Sequence, residues 1–239
     1  DGVETITNVS YALDDTCENC WNQLEPTYSS ITLTELSPGL HTFYIKAVDD
    51  FGMSSEVIYF PDISNTSEPD YWKVMPIVGD VLLVDDFHQD LQNNAQVWYR
   101  SVLDTILDEG NYSIWEIGER LPYSDTDITA NLNYFKHVIW YAAYTGRETY
   151  DEAGSSIFTY LINGGNMFLN ISEVKETTFP FFPISSLFTI NTGGSRILPG
   201  RDLHSQVTSN IIPDLDLETS QLIAINVKGF TPAIGSIPG

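Results

Sequence analysis

A β-module followed by an α/β domain is the organisation this sequence predicts. Before residue 60, apolar and polar residues alternate with period two, as in half-buried strands. After Asp80, short continuous apolar runs alternate with segments of helical spacing, as in a parallel sheet covered by helices. Between them, residues 61–79 open with a Pro-, Ser- and Asp-rich stretch of linker composition. The expected architecture is a partial antiparallel β-sandwich over 1–60, a linker over 61–79, and a three-layer α/β/α domain with a mainly parallel sheet over 80–239.

In the first part, Val9–Leu13 is a short apolar strand and Ser30–Thr34 alternates. The alternation is cleanest in His41–Val48, which sets His41, Phe43, Ile45 and Ala47 on one face and Thr42, Tyr44, Lys46 and Val48 on the other. Val57–Phe60 closes the set. Ser37-Pro38-Gly39 and Asp49-Asp50-Phe51-Gly52 supply the turns. The second half of the linker carries Tyr71, Trp72, Val74, Met75 and Ile77, so it is expected to lie against a domain.

Beyond Asp80, Val81–Val84 reads as a strand buried on both faces. Ala95–Glu109 follows as a helix, with Val97, Trp98, Ser101, Val102, Thr105 and Ile106 at helical spacing and Gly110 ending it. Trp98, Trp115 and Trp140 are expected in the core. Tyr112–Ile117 is a second strand, Asp127–Tyr134 a short helix, His137–Ala142 a third strand and Asp151–Ile162 a second long helix. Asn163-Gly164-Gly165 stops that helix before a fourth strand, Met167–Ile171. From Glu173 the chain is rich in Pro and Gly, with strands expected near Leu187–Asn191 and Leu222–Val227.

Tyr11–Asp14, Trp21, Ile31–Leu36, Pro38-Gly39 and His41–Asp49 followed by Gly52 resemble the second half of a fibronectin type III-like or immunoglobulin-like module of the kind found in bacterial surface and secreted proteins. That family commonly has a corner tyrosine at the position of His41, so the resemblance makes His41 a structural residue bonded to backbone. It also puts the first two strands of the sandwich before Asp1. The face bearing Phe43, Ile45 and Ala47 would then be covered by an upstream segment, in preference to the apolar linker or a neighbouring chain.

Val81–Asp86, His137–Tyr141, the helix reaching Tyr160-Leu161, and Gly164–Leu169 resemble class I glutamine amidotransferase-like domains, which have a flavodoxin-like fold. Leu203–Pro213 is similar to that family's His-Pro-(Ile/Leu)-Thr-x-Gly loop with its Pro and Gly replaced. Catalytic members carry a cysteine in a Gly-x-Cys-x-Gly elbow after the fourth strand. Here Leu169-Asn170-Ile171-Ser172-Glu173 has neither the cysteine nor the glycines, which leaves Ser172 as a weak candidate nucleophile. Val81–Asp86 also resembles the first strand of receiver domains, whose paired acids help to hold magnesium. The third strand, however, lacks the acid that such domains phosphorylate.

Acidic residues outnumber basic ones 33 to 10, a net charge of −23. Such a surface repels phosphate backbones and anionic membranes, so nucleic acid is excluded as the primary partner. No apolar run approaches the ~20 residues that span a bilayer. Cys17 and Cys20 form a C-x-x-C crowded by Asp14, Asp15 and Glu18, which disfavours a thiolate, and the pair is half a zinc site. A structural disulfide is the expectation.

Asp85, Asp86 and His88 form the one local cluster with ligand character. They are the candidate binding residues, with weak calcium or magnesium at Asp85 and Asp86 and no other cofactor expected. The functional expectation is a non-catalytic, extracellular or cell-surface bacterial protein that binds a protein or glycan partner. The alternative is a hydrolase of unknown specificity working at the carboxyl edge of the sheet through Asp85, Asp86, His88 and Ser172.

Overall fold

The computed structural model describes residues 5–61, 72–87, 90–117, 121, 124–142 and 149–171, together with the backbone of 184–189, 196–197, 225–226 and 228–232. The chain divides into two compact units, Asp1–Ile77 and Val78–Gly239. None of the helices among the described residues is long and apolar enough to cross a membrane.

The first unit holds β1 (Ile6–Leu13), β2 (Asn22–Leu24), β3 (Gly39–His41), β4 (Phe43–Asp49), β5 (Ile58–Phe60) and β6 (Trp72–Val74). Four of these make an antiparallel sheet in the order β2-β1-β4-β5, and β3 pairs with β6. Two expectations change. Ser30–Thr34 forms no strand, although Ile31 and Leu33 are half-buried and Thr32 and Thr34 exposed. Its alternation therefore marks packing without a ladder. The long strand expected over His41–Val48 is split at Thr42, whose backbone is held by Asp14: Thr42 N–H donates to the Asp14 carboxylate at 2.9 Å, and Asp14 N–H donates to Thr42 C=O at 2.8 Å. The chain changes partners there, leaving β3 beside Trp72 of β6 and β4 between β1 and β5.

His41 is the corner of this bend. It is buried, with Nδ1 2.8 Å from Asp14 Oδ2 and Nε2 2.7 Å from Ser37 C=O, and its ring packs on Trp72 at 5.6 Å. Both neighbouring oxygens can only accept, so the arrangement is fully satisfied only when both ring nitrogens carry protons. The Ser37 carbonyl and then the Asp14 carboxylate accordingly raise the His41 pKa above 6.5, against an opposing effect of burial. Paired positions set Val9, Tyr11, Leu13, Leu24, Phe43, Ile45, Ala47, Ile58 and Phe60 on one sheet face. None of these nine is buried, and Ile58 remains 67% exposed. Ser10 and Ala12, on the opposite face, are buried.

The second unit starts with β7 (Val81–Asp86), α1 (Asn94–Ile106), β8 (Ser113–Glu116), α2 (Asp125–Asn133), β9 (His137–Ala142), α3 (Thr149–Glu152), α4 (Gly154–Ile162) and β10 (Asn166–Ile171). The helix expected over Asp151–Ile162 is thus two pieces that meet at Ala153-Gly154, where glycine weakens helix continuity. Past β10 lie β11 (Ile184–Thr189), β12 (Arg196–Ile197), β13 (Ile225–Asn226) and β14 (Lys228–Pro232), paired antiparallel as β11-β14 and β12-β13.

Strands β8-β7-β9-β10 form a parallel sheet in that spatial order. Its two faces carry separate cores. Leu82, Val84, Val138 and Trp140 pack with Ile128 and Leu132 of α2 and Ile157 and Tyr160 of α4. Leu83 and Tyr141 pack with Tyr99 and Leu103 of α1. Gly165 lies flat against the Tyr160 ring, which a Cβ would strike, so this turn into β10 needs glycine.

Because the His41 pKa is higher folded than unfolded, its stabilisation is complete below about pH 6.5 and is lost as pH rises through the folded value. The urea midpoint of the first unit should fall as pH is raised across that window, and His41→Gln should flatten the dependence. A wild-type midpoint that does not move there would show that the imidazolium is not what holds the corner.

Candidate functional site

The carboxyl edge of the parallel sheet gathers polar side chains, and strand alternation decides where each one goes. Asp85 and Asp86 end β7 and point to opposite faces. Asp86 lies on the α2 and α4 face, 4% exposed, where Trp140 Nε1–H donates to its Oδ2 at 3.0 Å. Asp85, 9% exposed, lies on the α1 face. Its Oδ1 accepts from Phe87 N–H at 3.0 Å and its Oδ2 from Gln96 Nε2 at 3.0 Å. The two aspartates are therefore not brought together as co-ligands.

Gln96 is the residue that sequence reading missed. It sits on the buried side of α1 and bridges two carboxylates, donating also to Glu116 Oε1 at 2.7 Å. The expected apolar stripe of α1 does not face the core. Val97, Trp98 and Ile106 are 61%, 59% and 72% exposed, whereas Gln96, Tyr99 and Leu103 are buried. Trp98 is thus not a core residue, in contrast to Trp140, which is fully buried. The physical reason is polar: turning Gln96 inward satisfies Asp85 and Glu116, and Tyr99 then stacks on Tyr141 at 4.4 Å. Asp90 caps the helix start, its Oδ2 accepting from Ala95 N–H at 2.8 Å.

Tyr141 completes the cluster. Only 3% of it is exposed, and its hydroxyl makes no hydrogen bond of acceptable geometry, although it lies close to Asp85. Leaving such a group unsatisfied costs about 1–3 kcal/mol. Burial, then Asp85, raises its pKa, so it is a neutral donor at all ordinary pH. On the far side of the row, Asn170 Nδ2 donates to the Tyr99 hydroxyl at 2.5 Å. A signal for this layer was present in the sequence: the strands close Val-Asp, Trp-Glu, Trp-Tyr and Leu-Asn at the ends of apolar runs. Only the parallel register shows that these ends are level.

Of the other candidates, His88, Ser172 and the 203–213 loop lie outside the described residues. Cys17 and Cys20 are joined as a disulfide. With Asp15 they are the one group of three acid, histidine or cysteine ligand atoms within 4.8 Å of one another among the described residues. Both sulfurs are consumed in the bond, so that group offers a single carboxylate. A shallow depression of about 370 Å³ lies at the opposite, amino edge of the sheet, between Asp80, Tyr134, Lys136 and Tyr160, and contains none of the candidate residues.

Asp86→Ala strands the buried Trp140 indole N–H and should lower stability by about 1–3 kcal/mol. Asp86→Asn keeps an acceptor and should cost less. Urea denaturation of both variants checks the order, and equal losses would mean that the Trp140 bond is not what Asp86 contributes.

Comparison with known proteins found no family model and no curated protein that matches this chain.

Proposed function

We propose that this chain is a non-catalytic interaction protein of the cell surface or extracellular space, with a fibronectin- or immunoglobulin-like module and a flavodoxin-like, amidotransferase-like domain without a working active site. The observation that carries this reading is the orientation of α1. Its apolar stripe of Val97, Trp98 and Ile106 faces outward, while the helix buries a glutamine. Exposed apolar side chains on the outward half of a helix are available to a protein or glycan partner.

Two further features support it. The spatial order β8-β7-β9-β10 supports a flavodoxin-like reading, in which a ligand would bind where the strand order reverses, between β7 and β9. At that point the Asp85 and Asp86 side chains are engaged by Gln96, Phe87 and Trp140, which suits structural carboxylates better than a general acid or base. The net charge of −23 fits a solvated extracellular surface.

The test is a panel of ester, amide, glycoside and phosphate substrates, run together with a fluorophosphonate probe for activated serine. The expected result is no turnover and no labelling. Turnover abolished by Asp85→Asn, or labelling at Ser172, would replace this reading with a hydrolase.

A further inference from the structure

Residues paired across parallel strands share a face, and at the carboxyl edge the pairing runs unbroken across the sheet: Glu116 with Asp85, Asp85 with Tyr141, and Tyr141 with Asn170. Four polar side chains on four strands thus form one row beneath α1. Two of them are carboxylates that share one neutral donor, the Gln96 amide nitrogen, 3.0 Å from Asp85 Oδ2 and 2.7 Å from Glu116 Oε1, while Asp85 Oδ1 also accepts from Phe87 N–H. Among the described residues no lysine, arginine or histidine forms an ion pair with either acid. Beside them stands the buried Tyr141 hydroxyl, close to Asp85 but without a hydrogen bond of acceptable geometry.

This combination is an incomplete coordination shell. An amide side chain turned by half a revolution exchanges its nitrogen for its oxygen at little cost in shape. Gln96 would then present a third oxygen to Asp85 and Glu116 at spacings near the ~3 Å edge of an oxygen octahedron with 2.0–2.1 Å arms. Carboxylate and amide oxygens select hard cations over zinc or copper. Glu116 is exposed, so the site opens to solvent for entry and for ligand waters. The Tyr141 hydroxyl, close to Asp85 and without a hydrogen bond of acceptable geometry, would bond to one of those waters.

We propose that Asp85, Glu116 and the Gln96 side-chain oxygen bind one hard divalent cation, calcium or magnesium, with Tyr141 holding a ligand water. The cation takes the place of the Gln96 amide hydrogens between the two acids, and the Phe87 N–H remains on Asp85 Oδ1. It fastens α1 to the ends of β7 and β8, because its ligands come from all three elements. Asp86 takes no part, since its carboxylate lies on the other face against Trp140. The site does not depend on whether the domain is catalytic.

Calorimetric titration of the whole chain with calcium chloride, and separately with magnesium chloride, tests this. The expected result is one saturable site with a dissociation constant of about 0.1–1 mM, the range of extracellular calcium modules, and the better of the two salts identifies the ion. Glu116→Gln should weaken binding at least tenfold, and because Glu116 is exposed this variant keeps the fold. Asp85→Asn should do the same, and Asp86→Asn should leave affinity unchanged. Absence of saturable heat with either salt overturns the proposal. So does binding that survives Glu116→Gln, which would instead reflect diffuse screening of the −23 surface.

Discussion

The side-chain amide of Gln96 donates to Asp85 on β7 and to Glu116 on β8 from a position inside α1. Asp85 is buried, and a buried carboxylate without donors is costly. Gln96 supplies one donor beside the Phe87 backbone N–H and reaches the exposed Glu116 with the same amide. Meeting that requirement fixes the rotation of α1. The Tyr99–Tyr141 stack and the burial of Leu103 follow from the same rotation, and so does the outward direction of Val97, Trp98 and Ile106. A polar constraint at one end of the helix therefore sets which apolar residues remain available to a partner.

The outline of the second unit was legible because its strands are continuous apolar runs. Strands β7 and β9 could be read directly from the apolar runs Val81–Val84 and Val138–Trp140 within them, since both of their faces are covered. The face of α1 was not legible. Helical spacing identified an apolar stripe correctly, but a single sequence carries no statement that a glutamine outranks it for the buried side. The candidate site was half-read for a related reason. Asp85 stood out as one of two adjacent acids, whereas Glu116, Gln96 and Tyr141 are scattered along the chain and meet only through parallel register and helix packing.

In the first unit the limit was different. Alternation over His41–Val48 was real, yet the Asp14 carboxylate and backbone draw Thr42 out of the ladder and divide one strand between two partners. The residue that marks the division, His41, was readable as a corner through resemblance, although its ionic partner Asp14, 27 positions away, was not. Ser30–Thr34 shows the converse: a strand-like pattern records which side chains are half-buried without recording any backbone pairing. The linker's Trp72 had a visible signal, being too apolar for a free tether, and it packs on His41 from β6.

Because the account of the α/β unit turns on one amide, its most direct measurement is the side-chain ¹H–¹⁵N signal of Gln96. In buffer free of divalent cations the account predicts two resolved amide hydrogens, protected from solvent exchange, with nuclear Overhauser contacts to the side chains of Asp85 and Glu116. A pair of rapidly exchanging signals at solvent-like shifts, with no contact to either acid, would contradict it and would leave the rotation of α1 without a cause.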